Sequence, residues 1–386
     1  MNNKNTQLSV TKYVIPIFFL MIVLIIILYF FNNNQSKVVS DSGKKIQTTN
    51  TEINGNDYRS IIKDGQYVTS NARGIVVTTQ NFFNAQSFEN AVDDMSKKFF
   101  STKSLLFQEG QYLSSNTINN WLGRYSQDNP EGLNPADNGR TDNGRAPYYL
   151  QSILENDFVS QSSANKLDLN GMAIGLAMNR FDDYTKEKYG SVYTQEIERD
   201  EMEIQGKAIG QKVLQRLRSI KDIGNNTPIL LVMYENSSND DIAGGTVYQY
   251  YLSKEGNQIT KWTNIDIKNV VFPLTDNDGK NTGSQENVLF TNFQDDITHI
   301  FPTLTNATAQ GHYENGIITG WKININTTFY STSEIKVLAN YISQIAPNYF
   351  SSNIPVTISI YGSNQIQAVV TKNVSGKYDI NYLFSY

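Results

Sequence analysis

The sequence predicts an α+β fold, antiparallel or mixed sheets with packed helices, behind one N-terminal transmembrane helix. Three observations predict it. A charge-free apolar run extends from Tyr13 to Phe31, a long charged helical stretch from about Thr194 to Ile223 is flanked by apolar runs of strand length, and a second succession of the same order lies between Trp321 and Tyr386.

The run YVIPIFFLMIVLIIILYFF holds about 19 residues, which at ~1.5 Å per residue crosses the hydrocarbon core of a bilayer. A cleaved signal peptide would have a shorter apolar stretch followed closely by small residues. Here Asn32, Asn33 and Asn34 follow, so retention as a membrane anchor is expected. Lys4 and Lys12 precede the run, which places residues 1–12 in the cytoplasm and the bulk of the chain outside. Pro16 falls in the first helical turn, where its missing donor costs little.

Residues 32–56 are rich in Asn, Ser, Thr, Gln and Lys and carry too little apolar surface to offset the entropy of ordering, so a flexible linker is expected. The extracytoplasmic body then spans 57–386. With 23 tyrosines and 19 phenylalanines it has ample core material. A first helix is expected from Ser87 as cap through Phe88, Ala91, Val92, Met95 and Phe99.

The central helix at 194–223 would bury Ile197, Ile204, Ala208, Val213, Leu217 and Ile220. Its acids crowd the first half and its bases the second, as the helix dipole favours, and Gly224 can end it. Strands are expected before it at Gly171 to Asn179, and after it at Pro228 to Tyr234 and Gly245 to Leu252. The order recurs in a strand at Trp321 to Tyr330, a helix that starts at the capping box Ser331 to Glu334 and stops at Pro347, and strands at Pro355 to Tyr361, Ile366 to Thr371 and Tyr378 to Tyr386. Two related β-α-β-β units are therefore expected.

Composition excludes several chemistries. No cysteine occurs, so there is no disulfide, thiolate nucleophile or thiolate metal site. Formal charge is −5, and with five lysines against only Asp41 and Glu52 before residue 57 the body is more acidic still. Such a body lacks the basic stripe that nucleic acid needs, and no nucleic-acid partner is expected. His299 and His312, separated by a loop-like stretch, do not have zinc-pair spacing, so no metal or other cofactor is expected. Thr275 to Gly283 carries Lys280 where a calcium loop needs an oxygen ligand and reads as a hairpin turn. No G-x-S-x-G, P-loop or dinucleotide fingerprint is present. The DNGR, Thr141, DNGR repeat between Pro135 and Pro147 marks an exposed loop.

Phe107 to Leu113 (FQEGQYL), Trp121 to Arg124 (WLGR) and Gly132 to Pro135 (GLNP) resemble the signature of the CamS family of sex pheromone precursor proteins of Gram-positive bacteria. Ala72-Arg73-Gly74, Phe301-Pro302 and Gly311-His312-Tyr313 extend the likeness over nearly all of 58–386. The resemblance implies an α+β body on a surface lipoprotein whose signal peptide can release a short hydrophobic peptide. The lipobox of that family ends in a cysteine, and Asn32 stands in its place here.

Trp121 and Arg124, three apart on a helix expected after Thr117, would share a face, and with Glu109 and Tyr112 they form the candidate ligand-binding set. The plainer expectation is that Trp121 is core and Arg124 pairs with Glu109. Together these features describe a membrane-anchored, extracytoplasmic, non-catalytic protein that binds a peptide or a cell-wall component. The alternative is an envelope hydrolase using paired carboxylates.

Overall fold

Alternating apolar residues in the body assemble fourteen strands, among the described residues, into one mixed sheet. The computed structural model describes residues 46–49, 57–77, 79–163, 166–238, 241–275, 281–302, 306–329, 331–350, 353–373 and 375–383. The expected cytoplasmic end, the membrane helix at 13–31 and most of the linker lie outside these residues, as does the centre of the turn expected at 275–283. Among the described residues no helix is long and apolar enough to cross a membrane.

The sheet opens with β1 (Ile46–Thr48), β2 (Arg59–Lys63) and β3 (Gln66–Tyr67), so it starts inside the stretch expected to be linker. Helix α1 (Ala85–Lys97) follows, then β4 (Leu106–Glu109), α2 (Ser115–Leu122), β5 (Leu150–Ser163) and β6 (Lys166–Asn179). A separate hairpin of β7 (Phe181–Thr185) and β8 (Val192–Glu196) leads into α3 (Arg199–Ser219). Next come β9 (Ile229–Asn236), β10 (Thr246–Ser253), β11 (Thr263–Phe272) and α4 (Ser284–Ile300). The chain continues through β12 (Asn306–Glu314), β13 (Ile317–Thr327), α5 (Thr332–Ile345), β14 (Val356–Gly362), β15 (Gln365–Lys372) and β16 (Tyr378–Tyr382).

The two expected units are present with a common strand order. In the first, β6 lies parallel to β9 across α3 and β9 is antiparallel to β10. In the second, β13 lies parallel to β14 across α5 and β14 is antiparallel to β15. Each is preceded by an antiparallel strand, β5 and β12 respectively. The units join through β11 in a continuous ladder.

Side-chain alternation assigns the layers. Helix α3 covers Ile174, Leu176, Leu231 and Met233, while Phe290, Phe293 and Ile297 of α4 and Ile335, Leu338 and Ile342 of α5 cover Ile323, Ile325, Ile358 and Ile360 on the same side. Each such fully buried side chain contributes about 1.5–3 kcal/mol. The opposite side holds α1, whose Phe88, Val92 and Met95 pack on Ala173, Ala177, Leu230 and Val232.

Several local expectations are corrected. Asn84, not Ser87, caps α1, its side chain accepting from the Ser87 N–H. The central helix starts at Arg199 because Val192 to Glu196 pair with Phe181 to Thr185 as strand. Its buried stripe is Met202, Gly206, Ile209, Gly210, Val213, Leu214 and Leu217, and Ile204 is exposed. Glycines complete that stripe because a Cβ at Gly206 would lie 2.7 Å from Met233 Cε and one at Gly210 would lie 2.8 Å from Trp262. His299 itself lies in the last turn of α4 and His312 within β12. The Ser331 to Glu334 capping box forms as expected.

Candidate ligand pocket beside a buried carboxyl pair

Strand β5 carries Glu155 and Asp157 on one face, two residues apart, with 5% and 0% exposure. Bare carboxylates cannot be buried this way, and the chain supplies donors from the loop after β4. Gly110 N–H donates to the Glu155 carbonyl, Gln111 N–H to Asp157 Oδ2 at 2.9 Å, and Tyr112 and Leu113 N–H to the two carboxyl oxygens of Glu155, each at 2.9 Å. Ser114 then caps α2. Burial raises both acids, and Asp157 is pushed well up, first by burial and then by the charge of Glu155. Two acids this close in a dry site titrate as a pair, and the burial that raises both favours a proton held between them. A Cβ on Gly110 would come within 2.5 Å of Glu155, which is why glycine follows Glu109.

Beyond this loop, β5 loses its strand partner until Val76 bridges to Ser152. A cavity of about 310 Å³ opens there. Phe83 and Phe88, Phe107, Ile75 and Leu154 give it apolar walls. At its rim Glu109 accepts from Arg73 Nη2 and, at 2.9 Å, from the Ser70 N–H. Glu89 and Asp93 of α1 add two further acids, and Tyr67 closes the side, its hydroxyl raised by burial and then by Glu109. An apolar interior under an acid-rich mouth suits an apolar group that carries a cation.

Of the four candidate residues, only Glu109 lines this cavity. Tyr112 serves through its N–H, its hydroxyl pushed up to about 12 by burial and by Asp157 and Glu155. Trp121 is core, 3% exposed, with the Arg216 guanidinium 5.2 Å from its ring. Arg124 neither shares a helix face with Trp121 nor pairs with Glu109, because α2 ends at Gly123. Its guanidinium donates to the Pro135 and Ala146 carbonyls at 2.9 and 2.7 Å and lies over the Tyr148 ring. WLGR and GLNP instead form one knot: Leu133 N–H donates to the Trp121 carbonyl, and buried Asn134 bonds Leu122, Leu150 and Tyr125.

In the DNGR repeat, Asp137 and Asp142 accept from the Gly139 and Gly144 N–H groups as expected of an exposed loop. Arg145 is the exception, since it pairs with fully buried Asp182 and stacks on Tyr184. Arg73, Glu155 and Asp157 were not candidates from sequence. The available signal was two acids alternating within the apolar stretch ILENDFV.

The family description "CamS sex pheromone cAM373 precursor" matches residues 67–377. The chain belongs to the CamS family. A solved sex pheromone precursor from Lactobacillus salivarius is 42% identical, with a TM-score of 0.82 over 88% of this chain and all of that one. The C-terminal domain of the sex pheromone staph-cAM373 precursor from Staphylococcus aureus is 26% identical, with a TM-score of 0.66 over 78% of this chain and 97% of that one. No curated protein sequence matches the chain. In this CamS protein the three signature stretches thus have structural work: FQEGQYL houses the carboxyl pair, and WLGR with GLNP closes the chain around Asn134.

Proposed function

We propose that this CamS protein is held in the cell membrane by residues 13–31, with its body outside, and binds an apolar peptide with a free amino terminus without catalysing its conversion. The observation that carries this reading is the cavity under the Arg73–Glu109 pair, whose aromatic walls fit apolar side chains and whose Glu89 and Asp93 fit an ammonium group. Family membership supports a surface location.

Paired carboxylates do occur, and they favour binding over hydrolysis. A glycosidase needs its two acids about 5–9.5 Å apart around a substrate. Glu155 and Asp157 are neighbours on one face of β5 with 5% and 0% exposure, and three backbone amides donate to three of their four oxygens, which leaves no room for a substrate between them.

The test titrates the full chain, in detergent micelles, with apolar hexapeptides bearing a free or an acetylated amino terminus. Binding of the free form, about tenfold weaker for the acetylated form and weakened by Glu89→Gln, supports the reading. Equal binding of both forms, or peptide cleavage, sinks it. Tags at each end report location: loss of the N-terminal tag from the mature protein, or a body shielded from protease in intact cells, overturns the anchor. Mass spectrometry of culture supernatant for fragments of 13–31 reports whether that segment is itself a released product.

A further inference from the structure

The side of the sheet that α1 covers in the first unit changes character in the second. Ile267 of β11 is buried beneath α1, but on β12, β13 and β14 the residues that continue the same side of the sheet are mostly polar, with Val271 of β11 and Val369 and Ile366 of β15 at the flanks. Gln310, Lys322 and Thr357 stand side by side across β12, β13 and β14. Thr308, Asn324 and Ser359 form the next row, and Asn326 beside Tyr361 the one after. Among the described residues no helix covers these rows, since α4 and α5 both pack on the other side.

Where the rows meet α1, a second cleft of about 380 Å³ opens, separate from the first cavity. Asn90 and Asp94 of α1 form one wall, and Asn269, Gln310, His312 and Thr357 line the floor. The floor is held in place. Asn269 donates to the Ala243 carbonyl at 3.2 Å, which leaves its Oδ1 to accept from His312 Nδ1 at 2.8 Å. That contact sets the tautomer with the proton on Nδ1, so Nε2 is the ring's acceptor.

The inventory selects a ligand class. Amides and an imidazole acceptor offer donor and acceptor capacity at neighbouring points, as do the hydroxyls of Thr308 and Thr357. The charges lining the cleft, among the described residues, are Asp94, Lys322 and Lys268, and Lys268 is paired with Asp266 at 3.0 Å, so no cluster of cations faces the ligand. A polyanion needs several cations to neutralise it, and a lipid surface or an apolar peptide needs an apolar patch. What remains is an uncharged ligand dense in hydroxyl and amide groups.

We infer that the cleft between α1 and the polar rows of β12 to β14 is a binding site for a neutral oligosaccharide. The reading is independent of the peptide cavity, because the two sites share only Asn90.

Saturation-transfer NMR and calorimetry on the full chain in detergent micelles, with tri-N-acetylchitotriose and maltotriose as probes and heparin as the anionic comparison, test it. At least one trisaccharide binds, and Gln310→Ala or His312→Ala weakens that binding about tenfold while Arg73→Ala leaves it unchanged. Thr357→Trp, at an exposed position that carries no core contact, abolishes it without lowering the melting temperature. Absence of transfer to both sugars at about 10 mM, binding indifferent to Gln310→Ala and Thr357→Trp, or binding of heparin alone overturns the inference.

Discussion

Asp157 and Glu155 lie buried on one face of β5, where Glu155 accepts from the backbone amides of Tyr112 and Leu113 and Asp157 from that of Gln111 alone. The two acids are therefore unequal. Asp157→Asn keeps a donor toward Glu155 and an acceptor for the Gln111 N–H, so urea unfolding should show a change within about 1 kcal/mol. Glu155→Gln sets an NH2 group against a backbone N–H and should cost about 2 kcal/mol.

The same pair makes stability depend on pH with a definite sign. Burial raises Asp157 above its unfolded value, so the folded protein holds a proton that the unfolded chain releases. Its contribution is fully present below about pH 3.9 and falls as pH rises toward the folded value, by up to about 1.4 kcal/mol per pH unit. The difference in unfolding free energy between wild type and Asp157→Asn, measured from pH 4 upward, should move steadily against the wild type. A difference independent of pH would place the proton elsewhere.

Gly110→Ala tests why the signature loop needs glycine. The added methyl would meet Glu155 Cβ, Cγ and Cδ, each at 2.5 Å, and Glu155 cannot retreat without releasing the Tyr112 and Leu113 amides. A loss of about 2–4 kcal/mol is expected from overpacking and broken hydrogen bonds together. Gly139→Ala, with open space around it but a φ of 72°, should cost only about 1 kcal/mol, and the two melting curves give the comparison directly.

Arg73→Ala separates the pocket mouth from the fold. The Arg73 side chain is 58% exposed and its partner Glu109 keeps the Ser70 N–H, so thermal unfolding should shift by less than about 1 kcal/mol. Removing Arg73, the one cation among the described residues of the cavity lining, leaves Glu109 without an ion-pair partner beside Glu89 and Asp93. Binding of an apolar peptide with a free amino terminus should tighten, and weakened binding would assign the guanidinium to the ligand.

How far the sequence carried depended on whether a residue announces its surroundings. The second unit was legible because Ile323, Ile325, Ile335, Leu338 and Ile342 repeat at strand and helix periods and Ser331 with Glu334 mark the helix start. Strand β5 was not, since Gln151, Ser152, Glu155, Asn156 and Asp157 break its apolar alternation although all are buried. Their hydrogen-bond partners come from residues 75, 77 and 111–113, far along the chain. Glu109 was named because it stands in FQEGQYL, whereas Glu155 lies outside the signature stretches and its partnership across 42 residues leaves no periodic trace. Trp121 with Arg124 misled because Gly123 ends the helix between them.

Helix α3 gives the last case, where the apparent apolar residue and the true contact are two positions apart. Ile204 looks like core and is 59% exposed, whereas Gly206, silent in any hydrophobic pattern, faces Met233 and Tyr248 of the sheet. Ile204→Ser should leave stability within about 0.5 kcal/mol, because no buried contact is lost. Gly206→Val should cost about 1–3 kcal/mol even though valine is the better helix former, because the helix must lift from β9 and β10 to admit it. Urea midpoints of the two variants decide between a stripe centred on Ile204 and one centred on the glycines, and the reverse order of loss would restore the former.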